Sequence, residues 1–156
     1  MSEAQQPTFS IEKIYVKDLS LEVPGGPQTF MQSEQPQLEI QLAHQSQRVN
    51  EALFEVTLSI TVTARLGDKT AFLVEVSQAG VFQIRNVAEA ELAPILGIGC
   101  PSVLFPYARE TVSDIIGRAG FPAVLLGHVN FEALFQQQRA GQSAAQPGGP
   151  RIEIAH

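Results

Sequence analysis

The segment FEVTLSITVTAR, residues 54–65, alternates apolar and polar side chains without a break. In a β-strand this period of two places the apolar side chains on one face and the polar ones on the other. We therefore expect a strand with one buried and one solvated face, which is typical of antiparallel sheets. This strand decides the class of fold, and its neighbours in the chain extend the sheet.

The turn sequence LGDK, residues 66–69, directly follows this strand and predicts an antiparallel hairpin. An earlier strand has apolar residues at alternate positions from 38 to 42, and the polar residues 45–50 join it to the strand at 54–65. The apolar residues that share one face of the second hairpin strand are Phe72, Val74, Val76, Phe82 and Ile84.

The first strand changes phase partway along its length. Positions 14 and 16 are apolar in one phase and positions 19 and 21 in the other, so we predict a β-bulge or sharp twist near Lys17 and Asp18.

Residues 23–36 are rich in proline and glycine and are too long for a hairpin turn. We expect a crossover loop there.

Apolar residues recur at steps of three and four in the C-terminal half, which predicts a main helix. The residues at this spacing are Leu104, Ala108, Val112, Ile115, Ile116 and Ala119. We expect Ser102 to cap this helix and Pro106 to lie in its first turn, with the GIG sequence of residues 97–99 stopping the helix before it. Asn86 is expected to cap that shorter helix, and Asn130 a last helix.

Strands come first in this chain and helices follow, which indicates an α+β fold. We predict a four-stranded antiparallel sheet with helices packed on one face. Residues 1–8 are expected to form a flexible N-terminus and residues 9–136 the folded domain. Residues 137–156 are expected to be a disordered tail, because their Gln, Ala, Gly and Pro composition cannot bury enough surface to offset the entropy of ordering.

The chain has 156 residues, of which 44% are hydrophobic, enough for a single domain with one core. Its net charge of -6 argues against binding of nucleic acid. We expect no membrane-spanning segment, because no apolar run approaches the length needed to cross a bilayer, and residues 1–10 lack the features of a signal peptide. With a single cysteine, these features predict a cytoplasmic protein that does not insert into the membrane.

The sequence does not place candidate catalytic residues in a recognisable arrangement. Cys100 with a histidine could form a nucleophile pair, but nothing fixes any of the three histidines near it, and the histidines lack metal-ligand spacing. Glu110 and Asp114 are more typical of a solvated helix face than of an acid/base pair. We predict no enzyme, no metal and no cofactor. A small-molecule carrier or enzyme with a groove between sheet and helices remains an alternative, which would require one preferred ligand.

Three segments together resemble the SecB protein-export chaperones: IYVKDLS at residues 14–20, CPSVLFPYARE at residues 100–110 and VNFEAL at residues 129–134. Strand sequences similar to those of the family lie between them in the family's order, namely TVTA at 61–64, AFLVEV at 71–76 and QAGVF at 78–82. Several motifs in one order are far more specific than any single motif. The likeness covers most of the chain.

The resemblance implies an ATP-independent chaperone that holds unfolded secretory precursors and delivers them to the motor SecA. It implies a homotetramer built as a dimer of dimers, and part of the apolar surface of Val112, Ile115 or Ile116 is expected to bear on subunit contacts. An alternative within the family is a SecB-like chaperone that protects the antitoxin of a toxin–antitoxin pair. The residues that match the family's SecA-binding positions are Asp18, Glu22, Leu73 and Glu75.

The resemblance also implies an apolar groove for unfolded segments, formed by the crossover loop and aromatic residues of the helical region. The candidate client-binding residues are Phe30, Phe105, Tyr107, Phe121 and Phe131. Many members of the family carry a tryptophan in the crossover loop, whereas this chain has the sequence SEQP at residues 33–36 and no tryptophan. The groove lining is therefore expected to differ from that of those members.

Overall fold

The computed structural model describes residues 5–141 and contains one four-stranded antiparallel sheet. The strands are β1 (Thr8–Glu22), β2 (Gln37–Arg48), β3 (Leu53–Leu66) and β4 (Lys69–Arg85). Their order across the sheet is β1-β4-β3-β2, with every neighbouring pair antiparallel. The predicted α+β class and the predicted hairpin are confirmed.

The strands β1 and β2 lie at opposite edges of the sheet, so the segment between them has to cross it. Residues 23–36 make this connection and confirm the predicted crossover loop. A 3₁₀-helix (Gly26–Met31) forms its middle part. Pro27 suits the start of this helix, because the amide that proline lacks would have no intrahelical partner there.

The predicted β-bulge in β1 is confirmed. Val16 pairs with Gln78 and Asp18 with Ser77, so Lys17 is an extra residue without a pairing position in β4. A second register shift, which the sequence analysis missed, lies between Ile11 and Lys13, where the apolar positions change phase from Phe9 and Ile11 to Ile14 and Val16.

A helical segment of 30 residues follows the sheet. It comprises α1 (Glu89–Pro94), a π-helical turn (Ile95–Gly99) and α2 (Cys100–Arg118). The predicted stop at residues 97–99 is wrong, because both glycines lie within the wider turn and the helix continues. The last helix, α3 (Phe131–Gly141), follows after a loop.

The prediction that Ser102 caps the main helix is also wrong. Ser102 lies inside the continuous helix, where its Oγ donates a hydrogen bond to the carbonyl oxygen of Ile98 over 2.6 Å. Pro106 likewise lies within α2 instead of in a first turn. Burial of Cys100 and Leu104 in the core favours continuation of the helix and outweighs the local stop signals.

Asn86 does not cap α1, because the residue at that position is Ala88 and it makes no side-chain cap. Asn86 instead adopts a φ of 60° and donates a side-chain hydrogen bond to the carbonyl oxygen of Gln6 over 3.1 Å. The predicted cap of the last helix is confirmed, since Asn130 Oδ1 accepts a hydrogen bond from the amide of Ala133 over 3.0 Å.

The core lies between α2 and the face of the sheet that carries the alternate apolar residues. From the helix, Leu104, Ala108 and Val112 contribute fully buried side chains. From the sheet, the fully buried large side chains are Val56, Leu58, Ile60, Val62, Phe72, Val74, Val76 and Phe82. The opposite, outer face carries the polar residues of the same strands.

The sequence prediction that no segment could cross a bilayer is wrong by the criteria of length and composition alone. Within the described residues, one helix, Glu89–Arg118, is long and apolar enough to do so. A single helix of this kind is weak evidence for a membrane span, because core helices pass the same test. The large apolar side chains of this helix are buried or half-buried within the chain, with the exception of Tyr107, which is half exposed.

The predicted domain boundary at residue 136 falls inside α3, which runs to Gly141. The remainder of the predicted tail, residues 142–156, and the first part of the predicted flexible N-terminus, residues 1–4, lie outside the described residues.

Candidate functional site

An open groove lies between the crossover loop and the loop that follows α2. Its volume is about 610 Å³. Its lining residues are Thr29, Phe30, Gln32, Glu34, Gln35, Pro36, Leu38, Leu66, Phe72, Phe121, Pro122, Ala123, Val124 and Leu125. Most of these side chains are apolar, and Glu34 provides the one carboxylate of this lining. We call this surface the groove.

A stack of three aromatic rings joins the groove to the core. The ring centroids of Phe30 and Phe121 are 5.0 Å apart, and those of Phe121 and Phe72 are 4.7 Å apart. Phe72 is 1% exposed whereas Phe30 is 51% exposed, so the stack runs from the core to the solvent. Gly120 lies beneath the Phe30 ring with a φ of 94°, and a Cβ there would be 3.0 Å from Phe30.

The other predicted client-binding residues lie elsewhere. Phe105 and Phe131 pack edge to face with centroids 5.8 Å apart and are both buried in the core. Tyr107 is half exposed on α2 and is not part of the groove lining. The structure thus brings Phe30 and Phe121 together and separates them from the other three candidates. It also adds Leu125, an exposed groove residue that lacks any aromatic or periodic signal in the sequence.

The four predicted SecA-binding residues lie together on the outer face of the sheet. Glu22 pairs with Leu73 across strands β1 and β4. Two positions along, Ser20 pairs with Glu75, and Asp18 pairs with the next outward residue of β4. Directly paired residues share a face of the sheet, so these side chains form one patch. The three carboxylates are exposed and Leu73 is half-buried. We call this patch the acidic patch.

The strand register places one further residue, Glu39, in line with the acidic patch, and the sequence analysis did not predict this. Thr63 of β3 pairs with Leu73, and Glu39 of β2 pairs with Thr63. Glu39 therefore lies in the same row as Glu22 and Leu73, and its Oε2 is 4.0 Å from Nε of Arg65. The alternation of β2 predicts that Glu39 faces outward, but only the register places it in this row.

A second polar cluster, comprising Tyr15, Lys17 and Glu55, lies on the same outer face. Lys17 Nζ donates to Glu55 Oε1 over 2.6 Å, and the Tyr15 hydroxyl donates to the other carboxylate oxygen. Hydrogen bonds from Lys17 and then Tyr15 lower the pKa of Glu55. The hydrogen bond to Glu55, followed by burial, raises the pKa of Tyr15 to about 12. We call this cluster the clasp.

The candidate catalytic residues do not come together. Cys100 is fully buried, and burial raises the pKa of its thiol to about 12, which keeps the thiol protonated at neutral pH. His44 is half-buried in β2, where desolvation lowers its pKa. Asp114 pairs with Arg118 over 3.1 Å instead of with Glu110. Among residues 5–141, no group of three or more His, Cys, Asp or Glu side chains could hold a metal ion.

An open apolar groove with one solvent-exposed aromatic ring, and a separate acidic patch on the outer face of the sheet, are the features of a polypeptide-binding protein of the chaperone class. The family model of the preprotein translocase subunit SecB matches residues 2–142. The chain therefore belongs to the SecB family of protein-export chaperones.

Curated relatives in the family are similar over almost their whole length. The protein-export protein SecB of Chromobacterium violaceum is 61% identical over 147 residues, covering 93% of this chain and 98% of the relative. SecB of Methylobacillus flagellatus is 56% identical, covering 92% of both chains. SecB of Nitrosospira multiformis is 54% identical, covering 99% of this chain and 98% of the relative. This similarity favours an export chaperone over the alternatives drawn from the sequence.

A solved structure supports the fold independently. It is a SecB-like chaperone of Mycobacterium tuberculosis in complex with a peptide from the HigA1 antitoxin, with a TM-score of 0.60 and 21% sequence identity. The match covers 78% of this chain and 90% of the other. At this level of identity the likeness shows the fold alone.

Proposed function

We propose that this chain holds unfolded secretory precursors, without ATP, in a state competent for translocation and delivers them to SecA. The observation that carries this proposal is the groove, whose lining includes the exposed apolar side chains of Phe30 and Leu125. Monomeric soluble proteins keep large apolar side chains together at the surface mainly where something binds. An unfolded chain supplies apolar and aromatic side chains in an extended backbone that fits an open groove.

Capture by such a groove is expected to be weakly specific. The groove is open along its length, whereas a typical small-molecule site encloses most of its ligand's surface. Several weak contacts along one unfolded chain, repeated over several subunits, raise the effective concentration and give tight overall binding.

Delivery to SecA is proposed to use the acidic patch. Leu73 offers an apolar contact at its centre, with the carboxylates of Glu22 and Glu75 beside it. These carboxylates attract a basic, zinc-held SecA tail and increase its rate of association. The association is expected to weaken as salt is added, because exposed charges are screened.

Assembly into a homotetramer is supported by apolar surface that one chain leaves uncovered. On the helix-facing side of β1, five large apolar residues are more than a third exposed: Phe9, Ile11, Val16, Leu19 and Leu21. Val112 and Ile116 are fully buried within the chain, which argues against the expected role of these two residues in subunit contacts. Ile115 is half-buried and keeps that role in the proposal. The proposed location is the cytoplasm.

Light scattering tests the assembly. We expect a mass of four chains at micromolar concentration, and we expect Ile115→Asp to lower it, because a charge would be buried without a partner at the subunit contact. Asp114→Asn, on the neighbouring exposed position, is the control and should leave the mass unchanged. A mass equal to one chain for the wild-type protein would contradict the tetramer.

Refolding of a slow-folding precursor from denaturant, without nucleotide, tests the holding activity. We expect the wild-type protein at stoichiometric tetramer to suppress both refolding and aggregation, and added SecA to release the client. Phe30→Ala should weaken retention of the client about tenfold, because it removes an exposed ring that caps the aromatic stack.

Met31→Ala is the matched control for this variant. Met31 is 82% exposed in the same 3₁₀-helix but does not line the groove. Retention by this variant should equal that of the wild type. Unaltered retention by Phe30→Ala would count against the groove, and unaffected refolding with the wild-type protein would contradict the holding activity. In that case a co-purified antitoxin or a single saturable small-molecule ligand would identify the alternative function.

A further inference from the structure

The β-bulge at Lys17 determines which residues of β1 reach the acidic patch. Successive side chains of a strand alternate between faces, so one extra residue reverses the faces of everything that follows it. With the bulge, Asp18 and Glu22 lie on the outer face and Leu19 lies on the helix-facing side, paired with Val76. Without it, the two carboxylates would turn toward the helices and the leucine would turn outward.

Within a single chain, the force that usually sets strand register is weak in this part of β1. Burial of apolar side chains normally specifies the register, but Leu19 is 42% exposed and Leu21 is 36% exposed within the chain. Val16, just before the bulge, is 45% exposed. A large part of the free energy that would hold the register through these residues is therefore missing inside one chain.

The clasp connects the bulge in β1 to β3, a strand that is not its neighbour in the sheet. Glu55 lies on β3, which is separated from β1 by β4, so Tyr15 and Lys17 reach across a whole strand to contact it. In β4, Ala79 pairs with Tyr15 and is fully buried although it lies on the outer face, as expected if the tyrosine side chain crosses over it.

A further hydrogen bond holds the same segment from the other face. The carbonyl oxygen of Tyr15 accepts a hydrogen bond from Nε2 of Gln78 over 3.1 Å. Gln78 is buried and lies on the helix-facing side of β4, opposite Val16. The residues immediately before the bulge are thus held from both faces of the sheet.

We propose that the clasp locks the β1 bulge and thereby positions Asp18 and Glu22 in the acidic patch for docking of SecA. Tyr15, Lys17 and Glu55 act as positioning residues, since they hold the strand and lie outside the patch. This inference rests on the proposed delivery to SecA. By its charge alone, Lys17 would weaken binding of a basic partner to the acidic patch. In this proposal Lys17 strengthens that binding, because it holds the strand in place.

The variant Lys17→Met separates positioning from simple electrostatics. Removing a positive charge next to Asp18 should strengthen the attraction of the patch for a basic partner, if charge alone matters. Loss of the clasp should instead weaken binding of the zinc-loaded SecA tail, measured by calorimetry on the full chain, by about five- to tenfold. Binding as tight as, or tighter than, that of the wild type would overturn the proposal.

Two further variants complete the test. Lys13→Met removes the same charge from an exposed position on the same strand and should bind the tail at least as tightly as the wild type. Lys17→Arg preserves the charge-assisted hydrogen bond to Glu55 and should bind within about twofold of the wild type. A loss of affinity in Lys13→Met equal to that in Lys17→Met would also overturn the proposal.

The clasp can be measured without SecA. The chain has two tyrosines, so in a Tyr107→Phe background only Tyr15 titrates in the ultraviolet. Its pKa of about 12 should fall toward the ordinary value of 10.0 when Glu55→Gln is added. Amide exchange of residues 18–22 should accelerate in Lys17→Met by roughly tenfold, while β2 is unchanged. Unchanged exchange would overturn the locking role.

Failure of the underlying function gives a different result. If the wild-type chain does not bind the SecA tail, the proposed delivery fails and the docking part of this inference fails with it. The titration and exchange measurements would then still decide whether the clasp locks the bulge. If the wild type binds and Lys17→Met binds equally well, the delivery stands and only the positioning role is lost.

Discussion

Glu75→Lys is expected to lower the affinity for the SecA tail by roughly a hundredfold while client capture is retained. Glu75 is an exposed residue of the acidic patch and lies between Ser20 of β1 and Thr61 of β3. A lysine there replaces attraction for a basic partner by repulsion and leaves the groove untouched. Leu73→Glu should have a comparable effect, because it replaces the apolar contact of the patch by a charge.

Calorimetry with the zinc-loaded SecA tail measures this effect, and the refolding assay checks client capture in parallel. Glu51→Lys is the matched control, since it makes the same change of charge in the β2–β3 connection, near the end of the sheet where Leu53 pairs with Gln83. That variant should bind the tail almost as well as the wild type. An affinity of Glu75→Lys equal to that of Glu51→Lys would exclude the acidic patch as the docking site.

Phe105→Ala is expected to destabilise the protein by about 3–4 kcal/mol, because a large buried ring is removed and a cavity remains. Phe105 is 6% exposed, packs against Phe131 and lies under the guanidinium of Arg109. This burial changes the result expected from the family resemblance, which implied that Phe105 takes part in client binding. A loss of client retention in this variant would therefore report a loss of folded protein instead of a damaged groove.

Denaturant unfolding followed by fluorescence or circular dichroism measures the free energy of unfolding. Tyr107→Ala is the control, because Tyr107 is two residues away in the same helix but half exposed, and its substitution should cost less than about 1 kcal/mol. If Phe105→Ala unfolded at the same denaturant concentration as the wild type and lost only client binding, the ring would belong to the binding surface after all.

The sheet could be predicted well because its signals are local. The alternation of residues 54–65 and the turn at 66–69 are both encoded within one strand and its hairpin. Even the bulge at Lys17 was visible, since a change of phase between two apolar pairs requires an extra residue. The second register shift, between Ile11 and Lys13, leaves the same kind of trace, since Phe9 and Ile11 are apolar in one phase and Ile14 and Val16 in the other. It was nevertheless missed, because the interpretation of this strand started at Ile14.

The helix boundaries were predicted less well because the local signals compete with packing. Ser102, Pro106 and the glycines of residues 97–99 are all typical of helix ends. They lie instead inside one 30-residue segment, because burial of its apolar face against the sheet outweighs the cost of prolines and glycines. Asn130 was predicted correctly, since no buried contact opposes the cap at the start of α3.

The acidic patch and the groove were likewise predicted only in part. The resemblance to the family placed Asp18, Glu22, Leu73 and Glu75 on one surface, and cross-strand pairing brings them together. It could not predict that Glu39 shares their row, because that depends on the pairing of β2 with β3. Nor could it separate the exposed Phe30 from the buried Phe105, since nothing in the local sequence distinguishes an aromatic residue in a groove from one in the core.

The sequence by itself determined the four strands, the class of fold and the SecB family, because periodicity and ordered motifs are properties of the chain read residue by residue. Only the tertiary structure decided which aromatic residues line the groove and that Tyr15 and Lys17 reach over β4 to Glu55. Contacts between residues about forty positions apart depend on strand order and register. These in turn follow from packing of the whole chain and not from any one segment.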